Sequence, residues 1–178
     1  MTSQASTEPE VTLDAGPECV DEACEVMHRA FAEYSLKGRP SGALVEDARS
    51  LRAEMADGTH LAVVRVDGRM TAMVKYHRTA DGALYFGRLG VLPEARGQGL
   101  AGLLVRELRV RSRDEGTRGL TCCVRANEPG NIALYEHLGM RIVGRTDRPS
   151  LTGAVIPVVH MSDLPMTGVA LAEVPPLD

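Results

Sequence analysis

Apolar residues at Val20, Cys24, Met27, Phe31 and Tyr34 recur every three or four positions, the spacing that places them on one side of an α-helix. Gly16-Pro17-Glu18 starts that helix, since proline is tolerated at the first helical position and an acid in the first turn suits the helix dipole. It runs to about Leu36, where Lys37-Gly38-Arg39-Pro40-Ser41-Gly42 breaks it. A second helix carries Leu44, Ala48, Leu51 and Met55 on one face and stops at Asp57-Gly58. From His60 the period changes to that of strands. His60 to Val66 and Arg69 to His77 are β-rich runs joined by Asp67-Gly68, the pair favoured by two-residue hairpins. The turn Thr79-Ala80-Asp81-Gly82 leads into a third run, Ala83 to Leu92, which completes an antiparallel meander.

A third helix follows, with its stripe at Leu100, Leu103, Leu104 and Leu108, extending toward Arg111, and its stop near Glu115-Gly116. Leu120 to Val124 is again β-rich, and a strand-helix-strand unit of this length favours parallel pairing of its two strands. The fourth helix, Gly130 to Leu138, ends at Gly139. Met140 to Arg145 and Ala154 to Met161 read as two more strands, the second carrying a proline that points to an edge or a bulge. The connection between them, Thr146 to Gly153, reads as a mobile loop. Hairpins followed by one parallel unit predict a mixed α/β (α+β) chain.

Residues 1–10 are polar and read as a disordered arm, Val11-Thr12-Leu13 as a short first strand, residues 11–164 as one domain, and residues 165–178 as a proline-containing tail without periodicity. With 178 residues, 44% hydrophobic and 25% charged, the chain can bury one sizeable core. A net charge of −4 gives no basic footprint for nucleic acid. No apolar run is long enough to span a bilayer, and MTSQASTEPE lacks the regions of a signal peptide, so a cytoplasmic location and no membrane partner are expected. Cys122 and Cys123 are adjacent in a strand and point to opposite faces, while Cys19 and Cys24 stand apart around a helix. Neither pair has metal spacing, so they read as buried thiols, and a catalytic cysteine has no recognisable partner.

The chemistry gathers between Arg88 and Leu104, where a strand feeds a helix through Arg96-Gly97-Gln98-Gly99-Leu100-Ala101. Glycines at 97 and 99 leave the backbone bare, and the helix that follows offers free N–H groups and the positive end of its dipole, a place for phosphate. A Walker loop is excluded, because Leu100 and Ala101 occupy the Lys-Ser/Thr positions. Gly97, Gly99 and Gly102 satisfy a dinucleotide fingerprint formally, yet several elements precede it, and Thr117-Arg118-Gly119, about twenty residues on, offers no carboxylate.

Arg96-x-x-Gly99-x-Ala101, after Val91 and Pro93, resembles the signature of the GCN5-related N-acetyltransferase (GNAT) superfamily, and Leu134-Tyr135-Glu136-His137-Leu138-Gly139-Met140 is similar to its downstream segment. The resemblance covers roughly residues 11–164 and is sharp from Arg88 to Gly144. It implies a GNAT-like fold: a curved mixed sheet between helices, with antiparallel N-terminal strands and a parallel pair at the acetyl-CoA site. It implies acetyl transfer from acetyl-CoA to an amine of a small molecule or protein in a ternary complex. A longer acyl-CoA, a catalytically silent CoA-binding module and a homodimer remain open.

By the same resemblance, amides of Arg96, Gly97, Gln98, Gly99, Ala101 and Gly102 hold the pyrophosphate, and Leu89, Gly90 and Val91 flank the pantetheine arm. Asn127 or Asn131 bonds the arm further along. Tyr135 falls where the family has a general acid beside the thioester sulfur. The strand Tyr85-Phe86-Gly87-Arg88-Leu89-Gly90-Val91 has no carboxylate where many members carry one. Water therefore stands first as the proton's route out, with Glu33 or a histidine (His60, His77, His137 or His160) as alternatives. Arg88 either meets a substrate anion or is solvated.

Overall fold

The computed structural model describes residues 8–36, 40–150 and 153–163. Strand β1 (Glu10–Thr12) is followed by a 3-10 turn (Pro17–Cys19) that runs into α1 (Val20–Leu36), and a second 3-10 turn (Gly42–Leu44) precedes α2 (Ala48–Ala56). Strands β2 (His60–Val66), β3 (Arg69–Arg78) and β4 (Leu84–Val91) form the meander. Then come α3 (Leu100–Asp114), β5 (Leu120–Arg125), α4 (Pro129–His137), β6 (Arg141–Pro149) and β7 (Val155–Ser162). The seven strands lie in the order β1-β2-β3-β4-β5-β7-β6, with β4 and β5 parallel and every other neighbouring pair antiparallel.

Local chemistry accounts for the main boundaries. Asp67 (φ 51°) and Gly68 (φ 76°) both take left-handed conformations, the backbone of the tight hairpin between β2 and β3. Asp47 caps α2 by accepting from the Ser50 N–H at 2.7 Å, while the Ser50 hydroxyl accepts from the Asp47 N–H at 2.9 Å. The helix therefore begins at Ala48, and Leu44, expected on its apolar face, belongs to the preceding 3-10 turn.

Side chains on the two faces of the sheet follow strand alternation. Met73 and Lys75 face α1 and α2, and Tyr76 and Phe86 face α3 and α4. Val20, Ala23, Met27, Leu51, Leu61, Met73, Leu104 and Leu108 are fully buried in the core between these layers. The predicted extension of the α3 stripe to Arg111 does not hold: its guanidinium leaves the core to pair with Asp14 at 2.5 Å and Glu115 at 3.2 Å.

Four further expectations are corrected. Glu10, assigned to the arm, is paired with Arg65 in the sheet, so β1 begins one residue earlier than expected; its last pair is Thr12↔Val63, one residue short of Leu13. The expected loop from Thr146 is strand as far as Pro149, paired with Val155 to Val158 of β7. Pro157 is not on an edge strand, because β7 lies between β5 and β6. Its carbonyl accepts from the Ala126 N–H at 2.9 Å, so its nitrogen also faces β5, and the bond it cannot return falls just past Arg125↔Val158, where that ladder ends. Finally, Cys24 and Cys122 are buried, but Cys19 and Cys123 are only partly so. Residues 1–7 of the predicted arm and all of the predicted tail lie outside the described residues.

Candidate active site

The partner register of β3 and β4 shifts between Met73↔Gly90 and Lys75↔Gly87, leaving Arg88 and Leu89 opposite Val74 alone. This is a β-bulge, and Arg88 sits in it with φ 53°. On its other side β4 pairs with β5 only at Leu84↔Leu120 and Tyr85↔Thr121. Beyond these positions the two parallel strands part, and a cavity of ≈ 800 Å³ opens between them. It extends from the start of α3, past Tyr135 and the bulge, to Glu54 on α2.

Most of the expected site residues meet in this cavity. Leu89, Gly90, Val91, Arg96, Gly97, Gly99, Ala101, Gly102, Asn131 and Tyr135 line it, whereas Gln98 and Asn127 are exposed and do not. Of the two asparagines, Asn131 is thus the one at the cleft, and its Nδ2 donates to the Tyr34 hydroxyl at 3.1 Å. Gly99 is the residue before α3 and has φ 77°, with Gly97 at φ 76°. A Cβ added at either would stand in open space. The amides of the first turn of α3 have no helical acceptor and open onto the same end of the cleft.

The Arg96 side chain reaches along the cavity wall to α1, donating to the Ala30 carbonyl at 3.0 Å and pairing with Glu33 at 3.3 Å, so it ties the glycine turn to that helix. Glu33 lines the cavity but is already engaged by that pair. Gly90 is needed for a different reason from Gly99. A Cβ there would lie 3.0 Å from the Ala30 Cβ and 3.3 Å from the Phe31 ring, so its absence lets α1 pack on β4.

Tyr135 is buried, with its ring edge-on to Phe86 at 5.6 Å. Burial, reinforced by the neighbouring Cys122, Tyr34 and Tyr85, holds its phenol well above the ordinary tyrosine range, so it stays protonated at neutral pH. Burial likewise pushes the Cys123 thiol up to about 11 and holds Cys122 well above the ordinary thiol range, so neither is a thiolate nucleophile at neutral pH.

The charged cluster at the other end of the cavity is not visible in the local sequence pattern. The Glu46 carboxylate accepts from Arg88 at 2.7 Å and from Lys75 Nζ at 2.6 Å, and Lys75 also donates to Glu54 at 2.8 Å. Arg88 therefore meets a protein carboxylate, not solvent. The available signal was Lys75 itself, a charged residue in the middle of the otherwise buried run of β3. His77 and Tyr85 complete this end, ring against ring at 5.3 Å. His60 pairs with Asp14 at 3.0 Å, away from the cavity, and His160 is buried between strands. Among the described residues no group of His, Cys, Asp and Glu could hold a metal ion, and no helix is long and apolar enough to cross a membrane.

A seven-stranded mixed sheet parted at its one parallel pair, with a glycine turn and helix N-terminus at the cleft, is the arrangement shared with solved acetyltransferases. A sequence model of the acetyltransferase (GNAT) family matches residues 24–140, and the chain belongs to that family. Its structure is similar to that of the ribosomal-protein-S18-alanine N-acetyltransferase from Escherichia coli, with a TM-score of 0.71 and 20% identity over 92% of this chain and 97% of that one. The ribosomal-protein-alanine N-acetyltransferase from Brucella melitensis matches with a TM-score of 0.70 and 16% identity, over 88% and 99% of the two chains. An N-acetyltransferase from Staphylococcus aureus matches with a TM-score of 0.70 and 14% identity, over 90% and 100%. At these identities the likeness establishes the fold. No curated protein sequence matches the chain significantly.

Proposed function

We propose that this protein transfers the acetyl group of acetyl-CoA to an amine, by direct attack with both substrates bound in the cleft. The observation that carries this reading is the parting of β4 from β5 after Tyr85↔Thr121. Two parallel strands that separate leave backbone N–H and C=O groups without strand partners, and here those of β4 past the bulge face a groove long enough for an extended arm. The residues present fit coenzyme A: the bare amides at the start of α3, beside Gly97 and Gly99 with open space where a Cβ would stand, suit its pyrophosphate. Acetyl-CoA supplies an activated thioester. Leu89 and Val91 would hold the arm in place, and Tyr135, kept protonated by burial, would donate to the departing sulfur. A phenol above its usual pKa of about 10 and a thiol near 8.5 make complete proton transfer uphill by at least ~2 kcal/mol, so a hydrogen bond that strengthens as charge develops is the role it suits.

The site assignment is tested by calorimetry with acetyl-CoA. Gly99→Val adds a side chain where the ligand must approach, at a residue whose φ disfavours it, and should abolish binding. Arg96→Ala should only weaken it, because that side chain is turned toward α1. Wild-type affinity in folded Gly99→Val would remove the basis of the assignment. Thiol release across a panel of amines tests the chemistry, and tight acetyl-CoA binding without turnover of any amine would favour a silent CoA-binding module.

A further inference from the structure

At the end of the cavity remote from α3, the side chains are unequal in what they have left to offer. Arg88 and Lys75 are 13% and 12% exposed, and both are drawn onto Glu46, itself 12% exposed. Glu54 is 38% exposed, lines the cavity and gives only its Oε2 to Lys75; its Oε1 takes part in no other hydrogen bond among the described residues. His77 and Tyr85 line the same end, and apart from the contact between their rings neither forms a hydrogen bond there. The strong acceptors left at this end are thus one carboxylate oxygen, one imidazole and one phenol, with the neutral side chains of Thr59 and Cys123 also on the wall. Arg148 on β6 also lies near Tyr85, but it is not part of the cavity wall.

We infer that Glu54, His77 and Tyr85 form a subsite for a second, non-reacting ammonium group, so that the acceptor is a diamine or an amine with a cationic far end. This rests on the acetyltransferase reading, which places the reacting nitrogen beside the bulge at Arg88 and Leu89. An ammonium carries three N–H donors, and the three groups supply one charged and two neutral acceptors for them. Burial keeps His77 below its ordinary histidine range, so at neutral pH it accepts a hydrogen bond and does not repel the cation. An anionic far end would meet the exposed carboxylate, while the cations that could bind it are shielded and paired with Glu46.

The strand geometry sets the spacing. Tyr85 precedes the bulge residues Arg88 and Leu89 by three and four positions, roughly 10–13 Å along β4 at about 3.3 Å per residue. An extended chain advances about 1.2 Å per bond. About eight to eleven bonds, hence about seven to ten carbons between the two nitrogens, span that distance.

The test compares 1,8-diaminooctane, octylamine and 8-aminooctanoate as acceptors for the wild-type enzyme, with thiol release giving kcat/KM. The diamine should exceed each of the others by at least about tenfold, the effect of one charge-assisted hydrogen bond. Across diamines of about four to twelve carbons, kcat/KM should peak between about seven and ten. Glu54→Gln should bring the ratio of diamine to monoamine to within about threefold of one, and Glu54→Asp should recover part of the preference. Equal use of diamine and octylamine, preference for 8-aminooctanoate, or a ratio unchanged in Glu54→Gln overturns the subsite. Acetyl-CoA binding with no turnover of the three also overturns it while leaving the cofactor site standing, whereas loss of acetyl-CoA binding sinks the acetyltransferase reading as well.

Discussion

Tyr135 has its position from α4, which is only two and a half turns long and presents this ring, alone among its residues, fully to the interior. Phe86 braces the ring edge-on, so Tyr135→Phe keeps the packing and removes the proton donor. With chemistry rate-limiting, kcat should fall by roughly 10² or more while acetyl-CoA affinity changes little. Wild-type kcat in the variant would return Tyr135 to a packing role. Tyr135, Gly97 and Gly99 were legible because each belongs to a short segment whose residue types announce its geometry. Glu46, Lys75 and Glu54 were not, because they come from the approach to α2, from β3 and from α2, and meet only in the folded chain. Asn127 and Asn131 look alike in sequence, and only the entry into α4, which leaves one exposed and turns the other to Tyr34, separates them.

At the scale of elements, the bulge in β4 depends on a contact made from outside the strand. A non-glycine residue in the left-handed region costs about 1–2 kcal/mol, and Arg88 is held there with its guanidinium on Glu46. Glu46→Gln leaves two shielded cations sharing a neutral amide, with Lys75 keeping Glu54 and Arg88 losing its carboxylate. Removing one member of such a network should lower the unfolding free energy by about 3 kcal/mol, read from urea denaturation. A loss below about 1 kcal/mol would mean the bulge is set by the strands alone. The helices and the β2–β3 hairpin were readable because periodicity, caps and Asp67-Gly68 act within a few residues. The length of β6 was not, since Thr146 to Pro149 carry turn-like residues and are strand only through pairing with β7. Pro157 misled for the same reason: what matters is which side of β7 its nitrogen faces, a property of strand order.

For the whole molecule, several titrating groups favour the folded state at neutral pH and lose that preference in acid. His77 and His160 are lowered chiefly by burial, with Arg148 adding to the effect at His160. The unfolded chain therefore takes up protons at these positions first, and stability should begin to fall as the pH drops below about 6.5. Glu22 is held low by hydrogen bonds from Arg65 and the Met70 amide, against a smaller cost of burial. At Asp14 burial opposes ionisation, but hydrogen bonds from Tyr76, Arg111 and His60 outweigh it and leave the carboxyl low. Both carboxylates contribute stability that is complete above their unfolded values and is lost as the pH falls through the folded ones, giving a second decline below about 4.5. These contacts join α1 to β2 and β3, and α3 to β3 and the chain after β1, so the second decline should loosen the sheet from its helices. Urea midpoints at pH 7.5, 5.5 and 4 measure the two steps. His160→Gln places an amide where the ring bonds Thr146 at 2.7 Å and removes one titrating group, so it should shrink the step between pH 7.5 and 5.5 and leave the lower one in place. A protein that gains stability on going from pH 7.5 to 5.5 would show that these histidines are better charged than neutral in the fold, and the assignment of the upper step to them would be wrong.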